Sequence, residues 1–237
     1  MLHLHPGGIT LTKKLIEHCD FSPNAAVVDI GCGSGITVGY LHDYCGVNPI
    51  GVDLAKARLE EGRKRHTELV FLQEDSEKLS FADGSIDGII MECSLSVMRD
   101  KPKTLSEVSR IMAPGGKLGI TDLYIRQVLA ENSYCYLPET HTGKDICKVK
   151  YNLLAMLKKN NFQIKIFEDQ SVCLKEFVAA YIMEYGVVPE FRKGLSCQAS
   201  MGDFYENEKR KLGYFLLVAE KNGEKDKRYG KTKVSSL

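Results

Sequence analysis

The stretch Val27-Val28-Asp29-Ile30-Gly31-Cys32-Gly33-Ser34-Gly35 constrains this chain more than any other. Two β-branched residues lead into an acid and then into glycines at alternate positions. β-Branched residues favour a strand, and glycine supplies the positive φ that a tight turn demands. An apolar strand running into such a turn is the opening unit of an α/β sheet, with a ligand crevice at the strand's carboxyl end. The spacing narrows the ligand. A dinucleotide fingerprint reads G-x-G-x-x-G, but position 36 is Ile36 and the pattern here is G-x-G-x-G. The phosphate-binding pattern G-x-x-x-x-G-K-[ST] is absent.

Apolar periodicity then alternates between helix and strand. It predicts helices over 11–19, 34–43, 55–65 and 103–112, and strands over 25–30, 50–54, 69–73, 86–91 and 117–122. Such apolar strands are buried on both faces, so the sheet is parallel and doubly wound. The second half is less regular. A helix is expected over 147–160, a strand over 162–167, a helix over 172–185 and a strong strand within 211–220. The expected molecule is one α/β domain over 1–220, with a Rossmann-like, mostly parallel sheet. Insertions at about 125–146 and 172–209 form a small lid. The tail, 221–237, is polar, basic and without apolar period, and disorder is expected there.

Composition excludes several classes. The formal net charge is +1 over 237 residues, so no global field draws the chain to nucleic acid or to a membrane. No apolar run approaches a membrane span, and the first residues do not form a secretory signal. A cytoplasmic location is expected. The eight cysteines, Cys19, Cys32, Cys45, Cys93, Cys135, Cys147, Cys173 and Cys197, include no C-x-x-C pair. Most are expected to be reduced core residues, and no metal site is expected.

Asp29-Ile30-Gly31-Cys32-Gly33-Ser34-Gly35 resembles the first motif of class I S-adenosylmethionine (SAM) dependent methyltransferases. Later landmarks follow in that family's order. Gly51-Val52-Asp53-Leu54 ends the second strand in an acid. Gln73-Glu74-Asp75-Ser76 leads into Leu79-Ser80-Phe81-Ala82-Asp83-Gly84-Ser85-Ile86-Asp87, and Ile111-Met112-Ala113-Pro114-Gly115-Gly116 precedes the fifth strand. The resemblance implies an antiparallel last strand, SAM as cofactor and S-adenosylhomocysteine as product. It implies that Gly31, Gly33 and Gly35 cradle the methionine part and the ribose, and that Asp29 reaches the ammonium. Asp53 takes the ribose hydroxyls, Leu54 lies on the adenine face, and Asp75 with the Ser76 backbone reads its edge. Glu92, at the end of the fourth strand, borders both cofactor and substrate.

The acceptor leaves a fainter mark. The position after strand four reads Glu92-Cys93-Ser94-Leu95. It resembles neither the N/D-P-P-Y motif of enzymes acting on DNA exocyclic amines nor the Pro-Cys of cytosine C5 enzymes. With no basic, aromatic-interleaved stripe, specific nucleic acid is not expected as partner and a small molecule is. The first half resembles the ubiquinone and menaquinone methyltransferases, and the second half, more faintly, arsenite methyltransferases. That likeness marks Cys147 and Cys197 as candidate thiols for a thiol or metalloid acceptor, although the further cysteine of that set falls at Val38. Soft thiolates suit such acceptors, and His141, on the same insertion as Cys135, can assist ionisation. His3, His5 and Tyr124 are further candidates to face the substrate, and Glu92 can orient or deprotonate a nucleophile. A competing reading is a SAM-binding partner or regulatory subunit without its own chemistry.

Overall fold

A computed structural model of the chain describes residues 5–129, 132–137, 151–186 and 212–223. The glycine turn follows the first strand as expected. Strands β1 (Ala26–Ile30), β2 (Asn48–Asp53), β3 (Val70–Gln73), β4 (Ile86–Glu92) and β5 (Met112–Leu129) run parallel in the order β3-β2-β1-β4-β5. Beyond β5 lies the antiparallel strand β9 (Leu212–Lys221), paired in turn with β8 (Phe162–Asp169). The order reverses between β1 and β4, which opens the crevice at their carboxyl ends.

Side-chain alternation divides the core into two faces. Val28, Ile30, Ile89, Met91, Leu118 and Ile120 pack on one side with Leu105 and Val108 of α4 (Lys101–Ile111) and Leu153 and Leu157 of α5 (Leu153–Lys159). Val27 and Ile90 face the other side. There they meet Leu11 and Leu15 of α1 (Gly8–Cys19), Leu41 of α2 (Ile36–Cys45), and Leu174 and Val178 of α6 (Ser171–Tyr185). Strand β9 serves both faces: its run from Tyr214 to Ala219 is buried throughout. A smaller cluster of Cys32, Val38, Leu59 and Phe71 seats α3 (Lys56–Arg65) beside the glycine turn.

Several boundaries move, each for a physical reason. Helix α4 begins at Lys101 rather than at position 103, because the Asp100 carboxylate accepts from the Lys103 amide and a proline occupies the first turn. Helix α1 reaches back to Gly8. Helix α5 is shorter than the expected 147–160, because Tyr151–Asn152 forms strand β7 and Asn152 caps the helix.

The largest change is in β5, expected over 117–122, which continues to Leu129. Its far end pairs antiparallel with β6 (Asn132–Leu137), and β6 pairs with β7. The described part of the first insertion is therefore a β-hairpin. Within the second insertion the described residues form α6, as expected. Residues 187–209 and the tail beyond Gly223 lie outside the described residues.

Candidate functional site

The strand period builds the site before any ligand is considered. Asp29 is two residues after Val27 on β1, and Glu92 is two after Ile90 on β4. The register pairs Asp29 with Ile90. Both acids therefore point to the face covered by α1 and α2, at the end of the sheet where the crevice opens. Thr12 of α1 and Thr37 of α2 meet Glu92 there, donating to its two carboxylate oxygens at 2.9 and 2.7 Å. The His5 Nε2 atom stands 3.6 Å from the same carboxylate and 3.3 Å from the Thr12 hydroxyl. Its Nδ1 faces the Pro6 carbonyl at 3.1 Å, an acceptor only, so Nδ1 donates.

Asp29 is only 3% exposed. Burial, followed by the like charges of Glu92 and Asp53, holds its carboxyl well above the usual carboxylate range. Among the described residues no cation pairs with it. Three carboxylates thus converge on the glycine turn, and among the described residues none of them forms an ion pair with a lysine or arginine. Such a site is complementary to a cation and strained without one.

The turn itself is built by close approach. Gly31, Gly33 and Gly35 have φ of 82°, 54° and 74°. A Cβ on Gly31 would overlap the Ser94 side chain, and one on Gly35 the Phe71 ring. Asp53 locks the turn to β2. Its Oδ2 accepts from the Gly33 amide at 2.8 Å and its Oδ1 from the Ala55 amide at 2.7 Å. A carboxylate offers about four acceptor sites, so lone pairs remain for a diol. Leu54, next in the chain, is 62% exposed, an apolar surface at the crevice edge.

Beyond it, Asp75 accepts from the Glu77 amide at 2.9 Å and stands 3.5 Å from Arg99. The Ser76 hydroxyl meets that of Thr104 at 3.2 Å. Asp29, Asp53, Leu54, Asp75, Ser76 and Glu92 therefore follow one another along the carboxyl ends of β1 to β4, with the glycines between them.

The remaining candidates are placed differently. Tyr124 is buried edge-on against Phe167 and Phe215. Cys135 lies on β6 with its backbone opposite Arg126. His3, His141, Cys147 and Cys197 lie outside the described residues. Cys32 in the turn, Cys93 after β4 and Cys19 at the end of α1 are poor thiolates: burial raises the Cys32 and Cys93 thiols and pushes Cys19 up to about 12. Cys93 has φ 51° and its Sγ touches the Tyr214 hydroxyl at 2.9 Å.

Sequence reasoning missed Thr12, Thr37 and the Glu77–Arg99 pair. A signal for Thr12 existed: it is a polar residue among the buried positions Leu11, Leu15 and Ile16 of an amphipathic helix, which asks for a buried partner. Asp122 was also missed. It is fully buried, accepts from the Ser96 amide at 2.7 Å, and is pushed up to about 6, mainly by burial.

An open α/β sheet with a glycine turn, an acidic crevice and acids at successive strand ends defines a nucleoside-binding Rossmann-like protein. Comparison with known proteins makes this specific. Residues 28–120 match the family model described as "Methyltransferase domain". The methyltransferase GfsG of Streptomyces halstedii is 31% identical over 233 residues, covering 92% of this chain and 82% of that protein. In fold, the chain resembles the [4+2]-cyclase SpnF, with a TM-score of 0.67, 23% identity, and coverage of 90% and 81% of the two chains. It also resembles phosphoethanolamine N-methyltransferase 2 of Haemonchus contortus, solved with S-adenosyl-L-methionine, with a TM-score of 0.68 and 18% identity. That match covers 93% of this chain and 54% of the other.

The chain belongs to the class I SAM-dependent methyltransferases of the small-molecule type. It is an enzyme whose methyl donor is SAM. No helix among the described residues is long and apolar enough to cross a membrane.

Proposed function

We propose that the crevice over β1 and β4 holds SAM in one orientation and presents its methyl group to a small-molecule acceptor. Asp29 and Glu92 receive the methionine ammonium, Asp53 the ribose hydroxyls, Leu54 the adenine face, and Asp75 with the Ser76 backbone the adenine edge. The observation that carries this reading is the buried Asp29 carboxyl with Glu92 as its like-charged neighbour; among the described residues neither forms an ion pair with a lysine or arginine, and only His5 stands beside Glu92. The cofactor, when bound, supplies a sulfonium-linked methyl group that needs no further activation.

The chain's own residues supply position and field. Gly31 and Gly33 let the backbone approach closely, and the Asp53 carboxylate keeps the turn in place. Glu92, fixed by two threonine hydroxyls, suits a standing charge better than a shuttling base. Orientation of this kind is the main contribution available to an in-line displacement.

The experiment is a titration of wild type and Asp29→Asn with S-adenosylhomocysteine and with 5′-methylthioadenosine, which lacks the ammonium. The variant is expected to bind S-adenosylhomocysteine roughly tenfold more weakly, the scale of one charge-assisted hydrogen bond. Its affinity for methylthioadenosine should be unchanged. Equal losses for both compounds would remove Asp29 from the ammonium site.

The narrower reading of the acceptor as a thiol or metalloid rests on Cys147 and Cys197. Arsenite binding by Cys147→Ser and Cys197→Ser tests it, and unchanged binding in both contradicts it.

A further inference from the structure

The adenine end of the crevice carries a charge network that the cofactor reading does not use. Arg99 follows the 3-10 turn Leu95–Val97. Its guanidinium forms a fork onto Glu77, with Nε donating to Oε1 at 3.0 Å and Nη2 to Oε2 at 2.9 Å. Lys103, in the first turns of α4, donates to the same Oε2 at 3.3 Å. The Glu77 side chain is 7% exposed. Hydrogen bonds from Arg99 are the largest influence holding its carboxyl below the ordinary range. Isolated surface ion pairs contribute little, but a bidentate fork onto a buried carboxylate that a second cation shares is a network with fixed geometry.

From that seat Arg99 reaches Asp75. Its Nη2 atom stands 3.5 Å from Asp75 Oδ2, while Asp75 Oδ1 is held by the Glu77 amide. One oxygen of Asp75 is thus fixed by backbone, the other by charge, and both holds trace to Glu77. A carboxylate so fixed is acceptor-only. It complements a purine whose 6-position donates, and it repels one whose 6-position carries an oxo group.

We propose that Arg99 is a positioning residue: seated on Glu77, it holds the Asp75 carboxylate in one orientation, and thereby makes the crevice select a 6-amino purine over a 6-oxo purine. This rests on the reading of Asp75 as the adenine contact.

The test is calorimetric titration of wild type, Arg99→Gln and Arg99→Lys with S-adenosylhomocysteine and with its deaminated analogue, S-inosylhomocysteine, alongside thermal melting of each protein. Wild type should prefer the adenine compound by roughly 100-fold, well within what a site built to accept from an amino group achieves. Arg99→Gln should lose roughly tenfold of that preference. Arg99→Lys, which restores a charge but not the fork, should recover part of it. A lower melting temperature with an unchanged preference in Arg99→Gln would show a merely structural pair and overturn the proposal alone. Wild type binding neither compound would overturn the cofactor reading, and the proposal with it.

Discussion

At the scale of single residues, the crevice trades stability for charge. Burial and two like charges raise the Asp29 carboxyl above its ordinary 3.8. The folded chain therefore holds the Asp29 proton more tightly than the unfolded chain does. Its contribution to stability is present at low pH and falls as pH rises from about 4 through the raised value. Asp29→Asn is expected to melt higher than wild type at neutral pH, with the difference vanishing below about pH 4. A variant that melts lower at neutral pH contradicts the charge argument. Asp122 offers a second check with a defined window, since its carboxyl is pushed up to about 6. Wild-type stability should decline between about pH 4 and pH 6 by a component that Asp122→Asn lacks. The slope of stability against pH is the readout, because the substitution also alters the bonds to the Ser96 and Leu123 amides. Of these residues, Asp29 and Asp53 were legible in the sequence because each stands at a fixed offset from a motif. Thr12, Thr37 and Arg99 were not, because their partners lie far away in the chain: Thr12 and Glu92 are separated by 80 positions.

At the scale of elements, caps and close approaches decide where structure begins. Asp100 caps α4 through the Lys103 amide. Asp100→Ala should cost about 1 kcal/mol, seen as a fall of roughly 2–4 °C in melting temperature. Gly35 caps α2 at φ 74°, and any Cβ there overlaps Phe71. Gly35→Ala should therefore both destabilise the chain and abolish tight cofactor binding, whereas Gly46→Ala at the other end of α2, where a Cβ meets nothing within 4 Å, should affect stability alone. Loss of binding in Gly46→Ala would contradict this division. The first half was legible at this scale because each strand is an apolar run that stops at an acid or a glycine. The hairpin formed by β5 and β6 was not. Its register pairs residues such as Gln127 with Tyr134 and Val128 with Ser133, and a ladder of mixed polarity leaves no clean period in the chain.

At the scale of the whole molecule, the sheet order β3-β2-β1-β4-β5-β9-β8 places every acid of the crevice on the carboxyl side of the β1 to β4 segment. The fold by itself does not choose a reaction, and the likeness to a [4+2]-cyclase illustrates the point. The methyltransferase assignment rests on the relationship to the methyltransferases, and the acids and glycine turn are the residues proposed to carry it. A ligand that binds only the folded chain must stabilise it. S-adenosylhomocysteine at about 100 times its Kd should add about 2.7 kcal/mol, or roughly 5–10 °C of melting temperature. Binding of the cofactor by the crevice is the claim on which the rest depends, and calorimetric titration of wild type and Asp53→Ala with SAM and S-adenosylhomocysteine tests it most directly. The expected result is micromolar binding by wild type, weakened roughly tenfold or more in the variant by loss of the ribose contact and the Gly33 lock. No binding to wild type, or equal binding by both proteins, would contradict the account.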